Sequence, residues 1–197
     1  IGGSRASMAL MAAEELGIPY DHIRCTVADT ATLGYNEISH GSRVTYASGL
    51  ATIKAAKDAV SKLCKRAAQK WGISEDAVKW EDGCAVPSGA NAGDFDPLPL
   101  ATITANMGAT GGPIVGHFEA TPEGAGVSFA THIVDAEVDR ETGKTKIVRY
   151  TVVQDAGKAI HPAYVEGQYQ GGAAQGIGWA LNEEYIYGDD GRLQNAG

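Results

Sequence analysis

The most constraining stretch of this chain is Ala156 to Glu183, A-G-K-A-I-H-P-A-Y-V-E-G-Q-Y-Q-G-G-A-A-Q-G-I-G-W-A-L-N-E. Five glycines fall between Gly167 and Gly178, inside what otherwise reads as a helix from Pro162 to about Asn182. Each glycine in a helix interior costs roughly 1 kcal/mol relative to alanine. Five of them make sense only if something large must approach the backbone closely. Gln168 and Gln175 are seven residues apart and share a helical face, with Gly171 and Gly172 between them. Such a face suits a flat polar ligand. It suits a tight helix–helix or helix–sheet contact equally well, and spacing alone leaves both open.

Two shorter stretches share a second design. Gly2-Gly3-Ser4-Arg5 precedes one helical pattern and His40-Gly41-Ser42-Arg43 precedes another. A helix start offers unpaired backbone N–H groups and the positive end of the helix dipole. Serine adds a hydroxyl donor, and arginine adds a charge suited to phosphate. A serine before a helix is also the commonest of caps, so each instance alone says little; the repetition is what points to an anion.

The order of elements follows from periodicity. Ala9, Ala12, Ala13 and Leu16 predict a helix over Ser4–Leu16, capped by Ser4 or Ser7 and ended at Gly17. His22–Ala28 alternates as a strand, and residues 29–42 form a long polar loop. Val44–Lys70 is the longest helical pattern, with a narrow alanine-rich face and lysines with Arg66 opposite. Asp76–Val86 predicts a hairpin turning at Asp82-Gly83. Pro87–Pro99 is a connection, Leu100–Met107 a short helix and Gly108–Pro113 a flexible link. Strands are expected over Ile114–Ala120, Phe129–Asp139 and Lys144–Gln154. In the last two, Val134, Ala136 and Val138 face one side, as do Val148, Tyr150 and Val152. A final strand pair begins at Glu183–Tyr187, around the turn at Asp190-Gly191. The fold class is therefore α+β, mixed sheets packed with long helices, over residues 1–197. It allows two subdomains at about 1–107 and 108–197.

Composition excludes several classes. The 197 residues are 44% hydrophobic and 20% charged, with a net charge of −8. The balance argues against nucleic acid and anionic membrane surfaces, which need a basic stripe. No apolar run is long enough for a membrane span, and the first residues lack the pattern of a secretory leader. Cytoplasmic residence is the expectation. Cys25, Cys64 and Cys84 show no C-x-x-C pair and read as reduced, buried thiols. The five histidines show no metal-ligand spacing, and Glu14-Glu15 and Glu183-Glu184 read as solvated charges. The residues thus describe a binding apparatus for a flat, phosphorylated cofactor and expose no catalytic group.

Several motifs in order carry a resemblance. They are A-A-E-E-L-G-I-P (12–19) with I-R-C-T-V-A-D-T (23–30), G-S-R-V-T-Y-A-S-G (41–49), and F-A-T-H-I-V-D-A-E-V-D-R-E-T-G-K (129–144). Q-D-A-G-K-A-I-H-P (154–162) and E-G-Q-Y-Q-G-G-A-A-Q-G-I-G (166–178) complete the set. Together they resemble the molybdopterin-binding large subunit of the xanthine dehydrogenase and aldehyde oxidase superfamily, the molybdenum hydroxylases, over almost the whole chain.

The resemblance implies that Gly2, Gly3, Ser4 and Arg5 hold the dinucleotide or phosphate part of the cofactor. It places Gly41, Ser42, Arg43 and Thr45 along the pterin and its phosphate, and Gln168 at the dithiolene end near molybdenum. It implies molybdopterin in the cytosine dinucleotide form. It implies hydroxylation of an aldehyde or N-heteroaromatic carbon with water as oxygen source, by the parent protein. Iron–sulfur clusters and FAD are expected on other subunits or domains. The partners implied are the remainder of the large subunit, iron–sulfur and flavin subunits, and a small-molecule substrate. Some members of that family are periplasmic.

Two departures stand out. Many members carry Gly-Gln-Gly at the first turn, where this chain has Gly2-Gly3-Ser4, and Ile-Asn-Pro, where it has Ile160-His161-Pro162. The family's catalytic glutamate lies in a Gly-x-Gly-Glu motif that these 197 residues do not contain. No catalytic residue is therefore assigned, and the isolated chain is expected to be inactive. The rival reading is a non-enzymatic module that binds an anion or a partner through the two Gly-Ser-Arg turns.

Overall fold

The computed structural model describes residues 3–195 except 28, 32, 106 and 125, so Gly2 lies outside the described residues. The chain forms two compact units, residues 1–124 and 125–197.

The first unit is built on two helices, α1 (Ser4–Leu16) and α2 (Val44–Trp71). Small residues let them pack closely: Gly49 on α2 leaves only enough room for the Met11 side chain. The helices run parallel. Met8 meets the Thr52 hydroxyl at 3.5 Å, and further along both helices Glu15 meets Lys57 at 3.6 Å. Neither serine caps α1. The N-cap is Gly3, in a left-handed conformation at φ 83°, and Ser7 is buried inside the helix with its N–H bonded to the Gly3 carbonyl at 2.9 Å. Gly17 closes the helix in the left-handed conformation expected of a C-terminal glycine.

Beyond α2 come the hairpin β1 (Val78–Glu81) and β2 (Cys84–Pro87), the short β3 (Leu98–Pro99) and helix α3 (Leu100–Thr104). The three strands form one antiparallel sheet in chain order. Asp82 and Gly83 turn the hairpin with φ of 46° and 76°, the signs a two-residue type I′ turn requires. Leu63, Ala67 and Ala68 of α2 meet Val78, Ala85 and Ile103 in the core of this unit. Cys64 packs against the same cluster, and burial pushes its thiol pKa up.

Two expected strands do not form. Residues 23–27 are extended, with Ile23 and Cys25 half-buried, but join no sheet; Ala28 lies outside the described residues. Residues 114–120 are also unpaired, because α2 holds this segment instead. Arg66 donates to the Gly112 carbonyl at 2.6 Å and Lys62 to that of Val115 at 2.8 Å, while the His117 N–H donates to Asp58 at 2.9 Å. A Cβ on Gly116 would collide with the Ala55 carbonyl, so the strap lies directly on the helix backbone. This fastening is why residues 108–124, which periodicity grouped with the later strands, belong to the first unit. It also makes Gly108–Pro113 a held segment, not a flexible link.

The second unit holds an antiparallel ribbon, β4 (Phe129–Val138) and β5 (Thr145–Asp155), followed by α4 (Pro162–Leu181). At the ribbon's turn Asp139 accepts N–H bonds from Glu141 and Thr142 at 2.8 and 3.0 Å. The register slips at Asp135/Ala136: Asp135 opposes Arg149, but Ala136 opposes Ile147. The extra residue, Val148, is a β-bulge, which shifts the alternation along β5. Thr145 and Ile147 are half-covered together with Tyr150, Val152 and Gln154, while Val148 is exposed. Periodicity had put Val148 on the same side as Tyr150 and Val152. Of the expected final strand pair only an isolated bridge forms, between Tyr187 and Leu193. No helix among the described residues is long and apolar enough to cross a membrane.

Candidate cofactor-binding site

Because α1 and α2 are parallel, their N-termini lie at the same end of the first unit. Residues of α1 lie beside residues of α2 some 38 to 44 positions later (Met11 by Gly49, Glu15 by Lys57, Met8 by Thr52). Ser4 therefore falls within about a turn of the start of α2, ~6 Å. The turns at Gly3-Ser4-Arg5 and Gly41-Ser42-Arg43 thus occur at one end of one helix pair, and both helix dipoles present their positive ends there.

Both turns use left-handed backbone. Gly3 has φ 83°, Gly41 has φ 62° and Ser42, not a glycine, has φ 57°. The Arg43 N–H reaches the His40 carbonyl at 3.5 Å, so His40–Arg43 has the hydrogen bond and φ signs of a type I′ turn. A non-glycine residue there is strained by roughly 1–2 kcal/mol. The first intrahelical bond of α2 runs from the Ala47 N–H to the Arg43 carbonyl at 2.8 Å, and no side chain caps the helix. N–H groups of its first turn accordingly point out of the helix end.

The side chains are arranged less simply. Arg43 folds back on its own loop, donating to the Ile38 carbonyl at 3.3 Å and lying 3.6 Å from the Glu37 carboxylate. Ser42, Thr45 and Arg5 are exposed, and Ser4 is half-buried. Asn36, which sequence reasoning passed over, pins the loop to α2 by donating to the Ser48 hydroxyl at 3.0 Å. Sequence gave no signal for that contact beyond the polarity of the loop.

In the second unit, Val165, Tyr169, Ala173 and Ile177 recur along the half-covered side of α4. Gln168 and Gln175 are exposed on another side, with Gly171 and Gly172 between them. A Cβ added at Gly167, Gly171, Gly172 or Gly176 would meet nothing within 4 Å. These glycines therefore do not accommodate close packing by the described chain; they leave open space beside an amide stripe. At the start of α4, His161 is the N-cap and Pro162 takes the first helical position. The His161 ring stacks on Tyr164 at 4.0 Å, and its buried Nδ1 has no hydrogen-bond partner among the described residues.

Outward N–H groups at paired helix starts suit a phosphate, and a polar stripe with the Cβ positions left empty suits a flat heterocycle. Each unit by itself thus presents one part of what a molybdopterin needs, phosphate donors in the first and an open polar stripe in the second.

Comparison with known proteins agrees. The family model described as "Molybdopterin cofactor-binding domain" matches residues 1–197. The chain is 28% identical over 97% of its length to the carbon monoxide dehydrogenase large chain of Hydrogenophaga pseudoflava, covering 24% of that protein. It is 30% identical over 97% of its length to the nicotine 6-hydroxylase large subunit of Paenarthrobacter nicotinovorans, again covering 24%. Among solved structures, the Cu,Mo-containing CO dehydrogenase in its carbon monoxide-reduced state superposes over 99% of this chain. That match has a TM-score of 0.88 at 26% identity and covers 25% of the other chain. The chain thus spans about a quarter of the length of these relatives. The match includes α4 as well as both turns, so it does not support a module defined by anion binding alone. The α+β chain described here belongs to the molybdopterin cofactor-binding domain family of the molybdenum hydroxylases.

Proposed function

We propose that this chain holds the molybdopterin of a larger hydroxylase that oxidises an aldehyde or an N-heteroaromatic carbon. The observation that carries the reading is the pair of parallel helix starts, both entered through left-handed turns at Gly3 and at Gly41-Ser42. When bound, the cofactor would supply two-electron redox chemistry for a hydroxylation whose oxygen comes from water. In the first unit, backbone N–H groups at Gly3, Ser4 and Arg5 hold the dinucleotide or phosphate part, with Gly2 preceding them. Those at Gly41, Ser42 and Arg43, with the Thr45 hydroxyl, hold the pterin and its phosphate. Arg43 steadies the loop through Glu37 and Ile38 and exchanges the exposed Glu37 carboxylate for phosphate on binding. In the second unit, Gln168 donates its amide to the pterin, and Gly171 and Gly172 let the ring system approach.

The cofactor is the cytosine dinucleotide form, and the dinucleotide part is what makes two helix starts useful. Iron–sulfur clusters and FAD sit on other subunits or domains, beside the remainder of the large subunit, in the cytoplasm. No Gly-x-Gly-Glu occurs in these 197 residues, so the isolated chain binds without turning over. Molybdenum, phosphorus and cytidine analysis of the intact parent tests the reading. About one molybdenum and one pterin per chain, lowered by Gln168→Ala, is expected. A parent without pterin, or a Gln168→Ala variant with unchanged occupancy and rate, overturns it.

A further inference from the structure

The strap that lies on α2 leaves a cleft beside it. Lys62, Lys65, Arg66 and Gln69 recur at i, i+3, i+4 and i+7 on α2 and so form one continuous wall. Thr110 and the segment Pro113–Val115 form the other, around a volume of about 350 Å³. That is within the range of small-molecule sites. The cleft is remote from the helix starts. Arg66 lies 22 residues beyond Val44 along one continuous helix, ~33 Å at the helical rise.

The cations of this wall divide into two groups. Lys62 and Arg66 fasten the strap: Lys62 bonds Asp58 at 2.6 Å and the Val115 carbonyl, and Arg66 bonds the Gly112 carbonyl at 2.6 Å and Thr110 at 3.5 Å. These bonds fix both head groups without using all the donors of an ammonium and a guanidinium. Lys65 and Gln69 have no part in holding the strap. Among the described residues Lys65 pairs with Glu75, at 3.1 Å, and both side chains are more than half exposed. Exposed pairs of this kind are weak, so a stronger anion displaces the glutamate readily. Against three cations stand two carboxylates, Asp58 and Glu75, which leaves a local excess of positive charge on a chain of net charge −8. The wall opposite is apolar at Pro113, Ile114 and Val115.

We infer that this cleft is a second anion site, distinct from the cofactor cradle, which takes the phosphate of a small phosphorylated molecule with an apolar or aromatic body. Lys65 and the spare Arg66 donors take the phosphate oxygens, since an arginine fork suits phosphate geometry. Gln69 donates to the ester side, and the body lies on Pro113–Val115.

The test is a titration of the full chain at low ionic strength with phenyl phosphate, inorganic phosphate, benzyl alcohol and a hexaglutamate peptide, followed by backbone amide NMR. Phenyl phosphate is expected to saturate one site, shifting Lys62–Gln69, Ile114 and Val115. Inorganic phosphate should bind more weakly at the same place, and benzyl alcohol not at all. Lys65→Gln, alone and with Gln69→Ala, should weaken phenyl phosphate about tenfold in combination, the size of one lost charge-assisted bond. Neither residue holds the strap, so both variants should keep the parent melting temperature. Any of four results overturns the inference. They are no saturable binding at millimolar phenyl phosphate, shifts confined to Gly41–Tyr46, variants that bind as the parent does, or a peptide that outcompetes phenyl phosphate, which makes the cleft a protein contact.

Discussion

Gly17 and Gly83 meet backbone to backbone: a Cβ on Gly17 would fall against the Gly83 nitrogen, and one on Gly83 against the Gly17 carbonyl. This contact seats the C-terminus of α1 on the β1–β2 turn, where the Trp80 indole N–H also donates to the Leu16 carbonyl at 3.0 Å. It holds the far end of α1 and so helps fix the direction of its N-terminus. Gly17 has φ 64° and Gly72, which ends α2, has φ 72°, but a Cβ on Gly72 would meet nothing. Gly72→Ala should therefore cost only the left-handed conformation, about 1 kcal/mol. Gly17→Ala adds a backbone collision and should cost at least twice that, roughly 2–4 kcal/mol. Urea denaturation of both variants checks the difference; equal losses would mean the contact opens freely.

Ser42 should show opposite signs for folding and for binding. Its φ of 57° is strained for any residue with a Cβ. Ser42→Gly relieves this and should raise stability by about 0.5–1 kcal/mol. The same change loosens the turn that aims the Gly41–Arg43 N–H groups at the pterin phosphate, so molybdopterin occupancy of the parent should fall. Thermal melts and pterin analysis on the same variant separate the two effects.

Asp58 ties acid stability to the strap. The bond from Lys62 holds its carboxyl below the usual 3.8, aided by the His117 N–H. A carboxylate with a depressed folded-state pKa contributes stability that is fully present above its unfolded value. That contribution is lost as pH falls through the folded value. The strap should therefore loosen only below about pH 4. Amide exchange at His117 followed from pH 7 down to 3 should show faster opening at the acid end. In Asp58→Asn that acid-specific step should be absent.

The legibility of the chain followed where its hydrogen bonds close locally. The bounds of α1, α2 and α4 were readable because periodicity, Gly17, Gly72 and Pro162 mark them. The β1–β2 turn was readable because Asp82-Gly83 has one favoured geometry. Residues 114–120 misled because alternation says which residues face alike, not what they face; here Asp58, Lys62 and Arg66 satisfy the backbone in place of a strand. The bulge at Val148 is set by pairing across the ribbon, which no single strand encodes. At the candidate site the glycines were legible and the positive φ of Ser42 was not. Nor was the parallel sense of α1 and α2, a tertiary fact carried by Met8, Thr52, Glu15 and Lys57.

His161 is where the chain departs from the Ile-Asn-Pro pattern it resembles, and the cost is visible. Its φ and ψ of −138° and 93° are extended, as an N-cap requires, yet among the described residues no side-chain bond caps α4 and the buried Nδ1 has no partner. Asparagine is among the strongest N-caps because its short side chain reaches the N–H of the second or third helical residue. The imidazole instead stacks on Tyr164 at 4.0 Å, which recovers part of the loss through ring contact. His161→Asn should therefore stabilise the first turn of α4 by about 0.5–1 kcal/mol, less than a full cap, because the stacking is given up. Hydrogen exchange at the Tyr164 and Val165 amides is the direct readout, since both already donate to the His161 carbonyl at 3.0 and 3.1 Å. Slower exchange in the asparagine variant is the expected outcome, and faster exchange would show that the stacked ring, not the missing cap, governs how this helix begins.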